Sequence, residues 1–139
     1  MSPDHRRQSR IMAVQFLYQC EAQGVFYYSE SLFHTFKKYL SSDPAVTSGA
    51  MQLCKGVLSD IQQWDQVIEQ NTVRWSLNRI ATVDKCVLRL GAYELSQAVA
   101  PKRVVINEAV ELAKLFGTEK SSGFVNGILD SICKAHGVS

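Results

Sequence analysis

A chain of 139 residues can form one domain with its own core, and no apolar run in it reaches the ~18 residues a membrane span requires. Hydrophobic residues at 46% against charged residues at 20% give a soluble globular balance. A net charge of +2 selects no partner, so where the charge lies matters more than its sum.

In chain order, Ser2-Pro3-Asp4 reads as a helix entry. A helical period of apolar residues (Ile11, Val14, Leu17, Tyr18) then predicts a helix from about Gln8 to Ala22, stopped by Gly24. Arg6, Arg7 and Arg10 cluster at its start. Exposed cations there oppose the helix macrodipole by roughly 0.3–1 kcal/mol each, so their placement points to an anionic partner. A solvated basic terminus is the plain alternative. The aromatic run Val25, Phe26, Tyr27, Tyr28 precedes a short helix from about Ser29 to Leu40, with Leu32, Phe33, Phe36 and Leu40 on one face. The stretch from Ser41 to Pro44 is a loop. A long helix is predicted from about Thr47 to Asn71, with Gly56 inside it as a sign of tight packing. Trp75 and Leu77 follow, apolar between Arg74 and Arg79.

The centre of the pattern is the stretch from Val83 to Leu95, with Thr82 as its expected N-cap. At 100° per residue its apolar arc covers more than half the circumference, which predicts a helix with neighbours on several sides. Lys85, Arg89 and Ser96 lie opposite the arc. Gly91 costs roughly 1 kcal/mol relative to Ala in a helix, and close approach of another helix is the expected compensation. Asp84 suits the first turn, whereas Glu94 needs a partner. Ala100-Pro101 forces a break, and a helix from about Arg103 to Phe116 ends at Gly117. Thr118 is the expected cap of the last helix, on which Gly123 and Gly127 leave a strip flat enough for close packing.

The cysteines, Cys20, Cys54, Cys86 and Cys133, and the histidines, His5, His34 and His136, are dispersed. Buried core thiols are therefore expected, with no metal site. The chain shows no strand alternation, phosphate loop, catalytic triad order or zinc-protease motif, so neither a cofactor nor catalysis is expected. No apolar segment follows the basic N-terminus as in a secretory signal, so a cytoplasmic protein is expected. The fold class predicted is all-α: a compact single domain over residues 1–139, built from six or seven helices. Periodicity alone assigns no function.

Three segments go further: R-R-x-x-R-x-x-A-V-Q-x-L-Y from Arg6 to Tyr18, W-S-L-N-R-I-A-T-V-D-K-C-V-L-R-L-G-A-Y-E-L from Trp75 to Leu95, and the gap-free run from Pro101 to Asp130. On these the chain resembles the NusB family of bacterial transcription antitermination factors over nearly its whole length. Residues 23–74 match in hydrophobic pattern only. The resemblance implies two packed helical bundles, and binding of boxA RNA together with NusE, the small-subunit ribosomal protein S-ten. It also implies work with the transcription elongation complex, notably during ribosomal RNA synthesis. It casts Arg6, Arg7, Arg10, Arg89, Lys120, Ser121 and Phe124 as RNA contacts, and Tyr18 and Asp84 as NusE contacts. Arg89 is expected on a polar helix face, and Ser121 and Lys120 at a helix start able to hold a phosphate. Core packing is the alternative role for Phe124 and Tyr18. Glu94, Asn107 and Glu108 read as internal hydrogen-bonding groups. Gln8 stands where the family often has a cation. Some family members form homodimers that cover the RNA surface. Two other readings stand beside this one: the NusB-like domain of a ribosomal RNA cytosine methyltransferase, which the chain's end at Ser139 disfavours, and a purely protein-binding helical adaptor.

Overall fold

A computed structural model of the chain describes residues 3–41, 43–72 and 76–135, so Ser2, Arg74, Trp75 and His136 lie outside the described residues. Among the described residues the secondary structure is seven α-helices and one 3-10 turn, with no strand. They fall into two compact units, Met1–Asp60 and Ile61–Ser139.

The first unit holds α1 (Pro3–Gln23), α2 (Glu30–Lys37) and α3 (Pro44–Ser59). α1 starts five residues earlier than its apolar period suggests, with Pro3 opening it and Asp4 in its first turn. It packs along α3, where the Ser9 hydroxyl donates to the Val46 carbonyl at 2.9 Å and Ala13 and Ala50 are fully buried. Phe16 anchors α2, its ring centroid 5.1 Å from Phe33 and 5.2 Å from Phe36. Ser29 caps α2 by accepting the Leu32 N–H, and Asp43 caps α3 by accepting that of Ala45. Leu40, expected on the apolar face of α2, lies past its end and is exposed.

Tyr28 folds back from the aromatic run onto Phe16 and Phe33, with the Lys55 ammonium 5.2 Å from its ring centre. Burial, helped by Glu30 and Cys54, pushes its phenol up to about 12. Phe26 and Tyr27 remain exposed.

The long helix expected from Thr47 to Asn71 is two helices. α3 ends at Asp60, whose backbone leaves the helical region (φ −132°, ψ 34°), and α4 runs Ile61–Gln70. Neither Pro nor Gly marks this break, so the continuous apolar period concealed it.

The second unit holds α4, the 3-10 turn Leu77–Arg79, α5 (Thr82–Gln97), α6 (Lys102–Phe116) and α7 (Ser121–Ala135). α5 packs against α4, α6 and α7, and every residue from Cys86 to Ala92 is buried. This is the helix with several neighbours that the wide apolar arc predicts. Thr82 is its first residue rather than its cap, since the Lys85 N–H already bonds the Ala81 carbonyl at 2.9 Å. A methyl group on Gly91 would come within 2.8 Å of Leu129 Cδ1, so the expected close approach is made by α7. Gly123 and Gly127 do not share that role: both are exposed, and a methyl group on either would meet nothing within 4 Å. The strip that should have packed a helix faces open space.

All four cysteines are buried and outside any disulfide, and burial pushes the Cys20 thiol up to about 11. It therefore stays protonated at neutral pH. No helix among the described residues is long and apolar enough to cross a membrane.

Candidate nucleic-acid interface

At the start of α1, Arg6 and Arg7 are exposed and Arg10 is buried at 6% exposure. Because the helix begins at Pro3, only Arg6 touches its first turn, and Asp4 occupies that turn with the favourable sign. The macrodipole acts mainly within one turn, so the opposition expected of three arginines largely disappears. What remains is two consecutive exposed arginines, Arg6 and Arg7. Arg10, expected to face an anionic partner with them, instead belongs to the interior and has its own interaction within the protein. Gln8, in place of a family cation, donates to Asp4 Oδ2 at 2.9 Å and so serves the helix start.

Arg89 corrects a second expectation. Its side chain is 5% exposed and grips Asp65 of α4 with two parallel bonds, Nε to Oδ1 at 2.7 Å and Nη2 to Oδ2 at 3.0 Å. A planar guanidinium matched to a carboxylate in this fork is a strong, directional pair. The polar face expected to reach a phosphate is instead a helix–helix contact inside the second unit. Asp65, 24 residues earlier, is a functional partner that a single-helix reading could not supply.

Around the start of α7 the expected site residues separate. Lys120 is exposed and Phe124 half-buried, but Ser121 is 2% exposed. Its hydroxyl accepts the Thr118 N–H at 3.0 Å, and its own N–H bonds the Thr118 carbonyl at 3.1 Å. Ser121 thus closes the α6–α7 turn, with both its hydroxyl and its N–H engaged there. Gly117 is required there for space, since a methyl group would overlap Ser121 Oγ and come within 2.8 Å of the Ala113 carbonyl. Thr118 sits three residues ahead of α7, and its hydroxyl makes two long 3.4 Å contacts, accepting the Lys120 N–H and meeting the Ser121 hydroxyl.

Of the residues assigned to NusE, Tyr18 is 46% exposed on α1. Asp84 is half-buried in the first turn of α5, with no hydrogen bond to its buried Oδ1. Glu94 and Glu108 are half-buried and have interactions within the protein, as expected, whereas Asn107 is exposed. Among the described residues no cluster of three or more His, Cys, Asp or Glu is placed to hold a metal ion.

The helices and basic helix starts define an all-helical protein with exposed cations at the beginning of α1 and beside α7. The chain belongs to the NusB family, whose model matches residues 7–134. It is 39% identical to the transcription antitermination protein NusB of Bdellovibrio bacteriovorus, over 94% of this chain and 96% of that protein. With the Bacillus subtilis protein of the same name it shares 41% identity over 91% of this chain and 93% of that one. Among solved structures, T. maritima NusB superposes with a TM-score of 0.81 at 36% identity, covering 96% of this chain and 92% of that one. A structure of antitermination factors NusB and NusE in complex with dsRNA superposes with a TM-score of 0.82 at 28% identity, covering 96% of this chain and 99% of that one.

Proposed function

We propose that this chain is a cytoplasmic transcription antitermination factor that binds boxA RNA together with NusE and joins the transcription elongation complex during ribosomal RNA synthesis. It acts as a single NusB-like domain, without catalysis and without a cofactor. The observation that carries this reading is the near full-length likeness to a NusB solved with NusE and dsRNA. The 96% coverage of the Bdellovibrio protein favours an antitermination factor over the NusB-like part of a methyltransferase.

In the first unit the exposed Arg6 and Arg7 meet phosphates; in the second, Lys120 does so, with the half-buried Phe124 one turn further along α7. Cations of this kind release counterions on binding and supply sequence-independent affinity. Arg10, Arg89 and Ser121 support the fold under these contacts.

Arg6→Gln with Arg7→Gln should leave stability within about 0.5 kcal/mol, because both side chains are exposed. RNA affinity should fall, and the slope of log K against log salt should shrink by about 0.7 for each lost single-strand phosphate contact. The measurement is a salt titration of wild type and double variant with one boxA RNA at fixed NusE. Equal slopes and affinities would make the pair a solvated terminus. A homodimer covering the same surface would show as self-association reversed by RNA.

NusE binds at Tyr18 in the first unit and at Asp84 in the second. Asp84 is half-buried in the first turn of α5, where its carboxyl group can pair with a basic partner group. Asp84→Lys and Tyr18→Ala should each weaken the NusE complex, measured by calorimetry without RNA. Unchanged affinity in both would move the interface elsewhere.

A further inference from the structure

Tyr39 is 84% exposed, although Phe33 and Phe36 of the adjoining helix pack onto Phe16. Burial of the core therefore gives it no structural role. Its position is defined: α2 ends at Lys37, and the N–H groups of Tyr39, Leu40 and Ser41 all turn back onto the Phe36 and Lys37 carbonyls at 3.2 Å. The chain then reaches Asp43, whose Oδ2 lies 3.4 Å from His5 Nε2. His5 immediately precedes Arg6 and Arg7. Four residues cannot span more than about 14 Å between α-carbons, so Tyr39 lies within that reach of Asp43, the residue whose carboxylate meets His5. Lys37 and Lys38 immediately precede Tyr39. At the end of α2 these lysines have an ordinary reason to be present, since the helix dipole favours cations there. The exposed ring beside them has none.

We infer that Tyr39 is a stacking platform for an unpaired base of the RNA whose phosphates lie on Arg6 and Arg7, and that the exposed Lys38 meets a neighbouring phosphate. This rests on the RNA-binding reading above and extends it. Single-stranded RNA is held by exposed aromatic faces interleaved with cations, and any base can use the face. A protein partner would call for a contiguous apolar patch. In the sequence from Lys37 to Asp43, Leu40 is the one aliphatic residue beside Tyr39, the others being Lys37, Lys38, Ser41, Ser42 and Asp43.

The test uses the whole protein and a labelled single-stranded boxA RNA, titrated with and without saturating NusE. Tyr39→Ala should weaken binding about 5- to 150-fold, with an unchanged salt slope. Tyr39→Phe, which keeps the aromatic face, should bind like wild type. Lys38→Gln should lower the salt slope by about 0.7. If Tyr39→Ala binds RNA like wild type while Arg6→Gln with Arg7→Gln is weakened, the platform is refuted and the RNA reading stands. If Tyr39→Ala loses affinity for NusE but not for RNA alone, the turn is a protein contact and the inference fails. If the wild-type protein binds no RNA in either condition, both readings fall together.

Discussion

Arg89→Ala is expected to destabilise the protein by about 3–5 kcal/mol, although Arg89 lies on the side of α5 that its helical period assigns to water. The guanidinium is 5% exposed and Asp65 20% exposed, joined by the 2.7 and 3.0 Å bonds of a planar fork. Truncating Arg89 leaves a largely desolvated carboxylate with neither its counter-charge nor its two donors. The cost is chiefly that stranded charge rather than the net worth of the pair. Replacing both residues together with Leu should therefore lose far less than either single change, because buried ion pairs exchanged for apolar packing are often close to neutral. Urea unfolding of Arg89→Ala, Asp65→Ala and the double alanine variant gives the coupling, and the paired leucine variant tests the exchange for apolar packing. RNA affinity, measured at a temperature where Arg89→Ala is folded, should match wild type. An Arg89→Ala protein with wild-type stability and impaired RNA binding would reverse the assignment and return Arg89 to the interface.

Leu90→Ala should cost about 2–5 kcal/mol, toward the upper part of that range. Leu90 is 1% exposed and sits in the stretch of α5 that is buried without interruption from Cys86 to Ala92. How much a cavity costs depends on whether its surroundings can collapse into it. Next to Leu90, Gly91 already lets Leu129 of α7 come as near as a side chain can, and α4 and α6 pack against the same helix. A helix held from three directions has little freedom to close the gap. Chemical denaturation measures the loss, and a value below about 1 kcal/mol would mean that α5 is not the centre of its unit.

The parts of this fold legible in the sequence are those that depend on spacing along one helix. The period of apolar residues located α1, α2, α5, α6 and α7, the arc around Gly91 predicted a helix closely approached, and Ala100-Pro101 placed a break between α5 and α6. Exposed Arg6, Arg7 and Lys120 were readable because charge at a helix start has no core to enter.

The remainder was decided by partners remote in sequence. Periodicity says which residues share a face, not whether another helix covers that face. Arg89 and Ser121 are polar residues that looked available to RNA, yet each is buried: the distant Asp65 carboxylate accepts from Arg89, while the Ser121 hydroxyl accepts the Thr118 N–H three residues back, in a turn that apolar spacing does not reveal. Arg10 likewise left the surface. Gly123 and Gly127 show the converse, since small residues permit a close neighbour but cannot supply one, and none arrives. The break at Asp60 has the same origin. No Pro or Gly demands it, so the apolar pattern runs through it, and only the tertiary structure ends one helix there and begins the next. By itself the sequence determined that the chain is helical and where its cations start; tertiary packing decided which of those cations remain available to a partner, because burying a charge is tolerated only where a distant residue neutralises it.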